Sequence, residues 1–218
     1  MIKEFMKFNA WERFLGRTFS FWPPMVWTCS SLIVAVLGVC AIIASWYYLG
    51  FTLFLLSALF DEIDGKVARF NYQATYIGGF TDGVLDRFVD FLMILSYFFL
   101  NLPDFGLNLS LVLFFLLFAT LMPPFIVAYA NHRQAVPDPT EKVIWRLAFR
   151  VEYVVLLLGG ILFYPLNPRI TTVMLLLALG LNWATVLQSI ILTLIKARNY
   201  PQKNEQASRD FHQKKQTL

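Results

Sequence analysis

Four aspartates are spaced so that helical geometry would aim them at one another. One run reads Phe60-Asp61-Glu62-Ile63-Asp64-Gly65-Lys66-Val67-Ala68-Arg69, and a second reads Tyr76-Ile77-Gly78-Gly79-Phe80-Thr81-Asp82-Gly83-Val84-Leu85-Asp86-Arg87. On a helix, Asp61, Asp64 and Ala68 fall at i, i+3 and i+7, which is one face. Gly78, Asp82 and Asp86 fall at i, i+4 and i+8, again one face. Two helices joined by a short connection therefore present four carboxylates to each other. Left unpaired in a low dielectric, these would repel strongly. One or two divalent cations resolve the repulsion, and all-oxygen ligands favour Mg²⁺, Mn²⁺ or Ca²⁺ over softer metals. Ion pairs, Asp64 with Arg69 and Asp86 with Arg87, are the plainer account of such a cluster. Ion pairs, however, need no glycines at set places.

The elements that must position these acids are membrane helices. The chain has 218 residues, of which 58% are hydrophobic and 15% charged, with 22 Phe; soluble domains are about 45–50% apolar. Mean hydropathy is +0.59. Six stretches are long and apolar enough to span about 30 Å of hydrocarbon: Met25–Leu49, Phe51–Arg69, Tyr76–Leu100, Leu107–Asn131, Val151–Leu166 and Ile170–Leu194. Turns are expected near Gly50, Asp104 and Asn167. Before the first span, Ile2, Phe5, Met6, Trp11, Phe14, Leu15 and Thr18 recur at helical spacing with bases between them, as in a helix lying in the interface plane. The fold expected is an all-α integral membrane protein, six transmembrane helices preceded by an N-terminal interfacial amphipathic helix. Residues 1–20 form that interfacial helix, 21–196 the transmembrane domain, and 197–218 a polar cytoplasmic tail.

Within such a bundle the acids are expensive. Each Asp or Arg at a span's centre costs about 2.5–3.5 kcal/mol on insertion scales, and Asp82, Asp86, Arg87 and Asp90 share one span. Groups of this kind persist where they line a polar cavity with a function. Sixteen of the 18 Lys and Arg lie in the N-terminal segment, the connections after the second and fourth spans, and the C-terminal tail. Arg169 alone falls on the other side, and Arg87 lies inside a span. Both termini and the acidic runs therefore face the cytoplasm. The net charge of +4 is accounted for by this topology, with no basic-aromatic motif to read nucleic acid. No cleavable signal peptide is visible at the N-terminus. Cys29 and Cys40 are eleven residues apart, about 16 Å along a helix, too far for a disulfide.

Taken together, Asp61-x2-Asp64-Gly65-x2-Ala68-Arg69-x8-Gly78-x3-Asp82-x3-Asp86 resembles the signature of the CDP-alcohol phosphotransferase family, class I. Eight defined positions within 26 residues are matched, and the family's six-helix architecture agrees with the hydropathy reading. The resemblance implies a transferase that moves a substituted phosphate from a CDP-linked donor to an alcohol and releases CMP, in phospholipid biosynthesis. It implies that Asp61, Asp64 and Asp82 hold Mg²⁺ or Mn²⁺ on the CDP pyrophosphate, with Asp86 near a second metal position. Asp86 resembles the base that takes the acceptor's proton. Asp61, Gly65, Ala68, Arg69 and Gly78 are implied to meet the nucleotide, the small residues by allowing close approach and Arg69 by pairing with phosphate oxygens. Pro24-x3-Thr28 is similar to the family's Pro-Asn-x-x-Thr element, with Met25 where Asn is usual; Thr28 serves either the nucleotide or the helix start. A homodimer is a further implication of the resemblance.

The acceptor is less sharply written. Tyr129-Ala130-Asn131-His132-Arg133-Gln134-Ala135 partly matches a run found in branches of the family that use phosphorylated polyols, such as inositol phosphate or glycerol phosphate, but carries Asn131 in place of a base. Arg133, Lys142, Arg146 and Arg150 would receive an acceptor phosphate, or serve as positive-inside charge against lipid headgroups. His132 reads as interfacial. The alternative function is a transporter, since carboxylates within spans also mark ion paths. Acids gathered near one membrane face disfavour it, because a path distributes polar groups across the bilayer.

Overall fold

The computed structural model describes residues 16–71, 75–103, 106–133, 135 and 150–198. Among these residues there is no strand. Six α-helices are bounded within them: α1 Pro24–Ile43, α2 Tyr47–Phe70, α3 Tyr76–Ser96, α4 Leu109–His132, α5 Arg150–Phe163 and α6 Pro168–Arg198, with a 3-10 turn, Tyr97–Phe99, after α3. Most of the expected interfacial helix, residues 1–15, and most of the polar tail lie outside the described residues.

Three helices, α1, α4 and α6, are long and apolar enough to cross a membrane. The other three depart from that standard for legible reasons. Charged residues crowd one end of α2 and the middle of α3, and the described part of α5 spans 14 residues. In α4 the adjacent Pro123 and Pro124 remove two backbone donors, which a membrane helix tolerates when neighbours satisfy the freed carbonyls.

The first hairpin corrects one sequence expectation. The turn expected near Gly50 lies earlier, at Ala44–Trp46, and Gly50 is inside α2. Ser45 adopts φ 64°, Ser45 N–H donates to Ile42 O at 2.9 Å, and Trp46 N–H donates to Ala41 O at 2.8 Å. These are the two bonds of a Schellman stop, built on serine where glycine is usual. Gly50 has a packing role instead: a Cβ there would stand 2.5 Å from Ile42 Cδ1. The turn expected near Asn167 is where α5 gives way to α6, and Asn167 Oδ1 accepts from Arg169 N–H at 3.0 Å.

Helix α1 packs on α2 and α3, and α6 packs on α5 and α4, with α2 and α5 meeting between the two groups. The main core draws Val39 and Ile42 from α1, Phe54 from α2, Met93 and Tyr97 from the end of α3, Leu116 from α4, Leu157 and Ile161 from α5, and Leu175 from α6. All of these lie toward the end of the bundle remote from the aspartates. A smaller cluster of Trp27, Ile63 and Val67 backs the acidic end. Outward faces such as Phe114, Phe115, Phe118 and Phe125 on α4 are exposed aromatics, a surface suited to hydrocarbon rather than water.

Candidate active site

The aspartates occupy the last turns of α2 and the first turns of α3, and antiparallel packing brings those turns face to face. Thr75 starts α3 in extended conformation, its Oγ1 accepting from Gly78 N–H at 3.0 Å. This cap sets where the Gly78-Asp82-Asp86 ladder begins. A Cβ on Gly78 would meet that oxygen at 3.0 Å, so the cap and the glycine belong together.

Carboxylate oxygens of Asp61, Asp64 and Asp82 lie within 4.8 Å of one another. Oxygens on opposite sides of a hard divalent ion bound at 2.1–2.4 Å stand about 4.2–4.8 Å apart, so the trio fits Mg²⁺, Mn²⁺ or Ca²⁺. Asp64 is buried, and its Oδ2 accepts from Thr28 Oγ1 at 2.7 Å. Thr28 thus reaches the site by orienting a carboxylate across helices. A second neighbour, Pro24 O, lies at 3.1 Å; this is the back-bond expected of a threonine in a first turn.

Two of the trio, Asp64 and Asp82, line a cleft of about 360 Å³, together with Thr28, Gly65, Ala68, Arg69, Gly78, Pro24 and Met25. The structure therefore gathers the expected nucleotide contacts on one wall-and-floor arrangement, with Asp61 immediately behind. At Gly65 an added Cβ would find nothing nearer than Arg69 Nη2 at 4.0 Å. The absence of a side chain there serves the open cleft, not helix packing. Arg69 is exposed on the rim; among the described residues it pairs with none of the acids, and the Asp64–Arg69 pair is not formed.

Asp86 lies beside Asp61 of the trio and shares an arginine with it. Its Oδ1 accepts from Arg150 Nη1 at 2.6 Å, and the same nitrogen donates to Asp61 Oδ2 at 2.6 Å. Arg150 Nε donates to Asp90 Oδ1 at 3.0 Å. Asp90 Oδ2 accepts from Tyr153 Oη at 2.8 Å and from Arg87 Nη1 at 3.0 Å. Arg87 Nη1 also lies 3.4 Å from Thr120 O on α4, and its Nη2 is 3.7 Å from Asp86 Oδ2. Sequence reasoning placed Arg150 among acceptor contacts, offered Arg87 only as an ion-pair partner of Asp86, a pair the structure forms at 3.7 Å, and gave no role to Asp90 or Tyr153. One signal was present: Asp90 continues the 78-82-86 ladder by a further four residues. Tyr153 offered none.

Of the remaining acceptor candidates only Arg133 is described, and among the described residues it makes no ion pair with the acids. Arg133 Nε donates to Tyr129 Oη at 3.0 Å, with its guanidinium 5.3 Å from that ring's centre. Lys142 and Arg146 lie outside the described residues. Lys66, counted as a topology signal, is buried and paired with Glu62 at 2.6 Å. Cys29 and Cys40 are both free, on α1.

Fold and site together define a class: helical membrane proteins with an acid-lined polar cleft at one end of the bundle. Over residues 21–197 the sequence matches the CDP-alcohol phosphatidyltransferase family. The chain belongs to that family of phosphotransferases and is a transferase of phospholipid biosynthesis. Among characterised relatives, a bifunctional IPC transferase and DIPP synthase from Thermococcus kodakarensis is 34% identical over 83 residues, 37% of this chain and 17% of that protein. Its counterpart from Archaeoglobus fulgidus is 35% identical over 66 residues, 29% of this chain and 14% of that one. The matched stretch thus spans less than a fifth of either relative. Among solved structures, Mycobacterium tuberculosis phosphatidylinositol phosphate synthase with CDP-DAG bound superposes with TM-score 0.67 at 17% identity, covering 84% of this chain and 92% of that one. The same enzyme in complex with manganese and citrate gives 0.64 at 17% identity, covering 79% and 83%. At these identities the likeness shows the fold.

Proposed function

We propose that this chain transfers a phosphatidyl group from a CDP-linked lipid, CDP-diacylglycerol or a close analogue, to the hydroxyl of an alcohol and releases CMP. The observation that carries the reading is the convergence of three carboxylates on a cleft lined by residues with little or no side chain. Cation-ready acids suit a diphosphate, and Gly65, Ala68 and Gly78 leave room for a nucleotide against the helices. A structural neighbour binds CDP-DAG in the same fold, which supports the choice of donor.

Asp61, Asp64 and Asp82 would hold the metal, Mg²⁺ or Mn²⁺. When bound, such a cation neutralises the diphosphate and stabilises the departing CMP. The chain's own residues do the rest. Thr28 fixes the Asp64 carboxylate, and Arg69 stands at the rim where it pairs with phosphate oxygens. Asp86 takes the proton of the acceptor hydroxyl. The alcohol oxygen bonds to the lipid-side phosphorus as the phosphoanhydride bond to CMP breaks, and the proton ends on the Asp86 carboxylate. We place six spans in the membrane, with this cleft and both termini on the cytoplasmic side, as the Lys and Arg bias supports.

For the acceptor we favour a phosphorylated polyol such as inositol phosphate or glycerol phosphate, its phosphate met by bases of the connection that follows α4, Arg133, Lys142 and Arg146. The test is CMP release by the purified protein in lipid, from CDP-diacylglycerol, with inositol phosphate, glycerol phosphate, inositol and glycerol offered in parallel. Faster release with the phosphorylated acceptors is expected. Preference for the unphosphorylated alcohols would move the acceptor to another class and leave the donor chemistry standing.

A further inference from the structure

We propose that Pro124 of α4 is a positioning residue for the transfer: it uncovers the Thr120 carbonyl, and that carbonyl anchors Arg87 beside Asp86 and Asp90. The proposal rests on the reading of Asp86 as the group that takes the acceptor's proton, and deepens it. Helices α3 and α4 pack on one another, and α4 carries Pro123 and Pro124 within its length. Proline has no N–H, and its ring crowds the carbonyl four residues earlier. For Pro124 that carbonyl is Thr120 O, which cannot receive its α-helical bond and is pressed out of the helix wall. A bared carbonyl inside a membrane bundle calls for another donor. Arg87 of α3 supplies it, with Nη1 3.4 Å from Thr120 O. The Thr120 hydroxyl donates to Leu117 O at 2.8 Å, so what Thr120 offers Arg87 is its backbone oxygen.

The other contacts of Arg87 show what the anchor is for. Its Nη1 also stands 3.0 Å from Asp90 Oδ2, and its Nη2 stands 3.7 Å from Asp86 Oδ2. A guanidinium is a planar, rigid fork, so a donor held on a backbone atom helps to set the plane that faces both carboxylates. Asp86, Arg87 and Asp90 all belong to α3, and contacts among them give no reference outside that helix. Thr120 O gives one, from α4. Arg150 of α5 gives another, donating to Asp86 Oδ1. Asp86 is thereby steadied from two neighbouring helices, one for each oxygen. The proline that makes the α4 contact weakens its own helix, which makes stability and turnover separable by substitution.

Pro124→Ala returns an N–H to Thr120 O. For full-length protein in detergent, kcat for CMP release from CDP-diacylglycerol should fall about tenfold, the scale of one hydrogen bond to a charged group. KM for the donor should change little, and thermal stability should hold or rise. Pro123→Ala covers Ala119 O and leaves Thr120 O bare, so its kcat should stay near the wild-type value. Unchanged kcat in Pro124→Ala, or an equal fall in both variants, would overturn the proposal. Melting temperatures test the anchor without activity. Pro124→Ala should raise Tm more in an Arg87→Met background than in the wild type, because only the wild type gives up the Arg87 bond. Equal shifts would overturn the anchor and the proposal with it. If Arg87→Met does not fold, the two proline variants decide alone. Unequal shifts in a protein that releases no CMP would count against the proposed reaction and uphold the anchor.

Discussion

Helices α3 and α5 are tied together twice, by opposite means. Toward the apolar end Tyr97, fully buried, donates to Leu157 O at 2.6 Å, and Gly160 is what lets it in, since a Cβ there would overlap the tyrosine hydroxyl. Toward the acidic end, Arg150 and Tyr153 of α5 close on Asp86 and Asp90 of α3. The first tie is neutral, satisfied and surrounded by Met93, Leu116 and Ile161. The second carries several charges and adjoins Asp64 and Asp82, which form no ion pair among the described residues. A neutral tie fixes helices at little electrostatic cost. A charged one in a low dielectric is costly unless completed, and its persistence marks the end of the bundle where anions and cations are handled.

Substitutions at the two ends should separate activity from stability. The largest effect is expected at Asp86→Asn, which keeps the shape and an acceptor oxygen for Arg150 but removes the proton acceptor. Turnover should fall by about 10²-fold or more, while CDP-donor binding in Mg²⁺ is largely retained. Equally severe loss of donor binding would make Asp86 mainly a metal ligand, and near-normal turnover would remove it as the base.

Gly65→Ala should act next. The methyl has space in the folded protein, and alanine exceeds glycine in a helix by about 0.8–1.0 kcal/mol, so thermal stability should hold or rise. Donor affinity should drop, because crowding a fitted ligand by one methyl costs about 1–3 kcal/mol, roughly fivefold in affinity at the lower figure. Unchanged affinity measured by donor titration would take the nucleotide away from this wall of the cleft.

The smallest effect belongs to the apolar end. Tyr97→Phe removes one buried hydrogen bond and should lower stability by about 1–3 kcal/mol, read from thermal unfolding in detergent, with turnover per folded molecule unchanged. A large loss of turnover at constant fold would mean that the two ties are coupled and would break the contrast.

Much of the acidic end was legible from sequence because helix periodicity is local. Asp61, Asp64, Gly65, Ala68, Gly78 and Asp82 needed only a helical ladder and a short connection to meet. What escaped depends on tertiary distance or on conformation without a residue signature. Arg150 lies 64 residues from Asp86 in the chain, within a group of bases that topology alone explains. Asp90 was on the ladder, yet reads as a mere cost until Arg150, Arg87 and Tyr153 are seen around it. Ser45 ends α1 in a left-handed conformation that glycine normally signals, so the visible glycine, Gly50, drew the turn to itself while in fact admitting Ile42.

The central claim, that converging carboxylates act through a divalent cation on a CDP-linked lipid, meets its most direct test in CMP release by the wild-type protein before and after chelation. With CDP-diacylglycerol and an active acceptor, release should cease in excess chelator and return when Mg²⁺ or Mn²⁺ is restored. Undiminished CMP release in excess chelator would contradict the account.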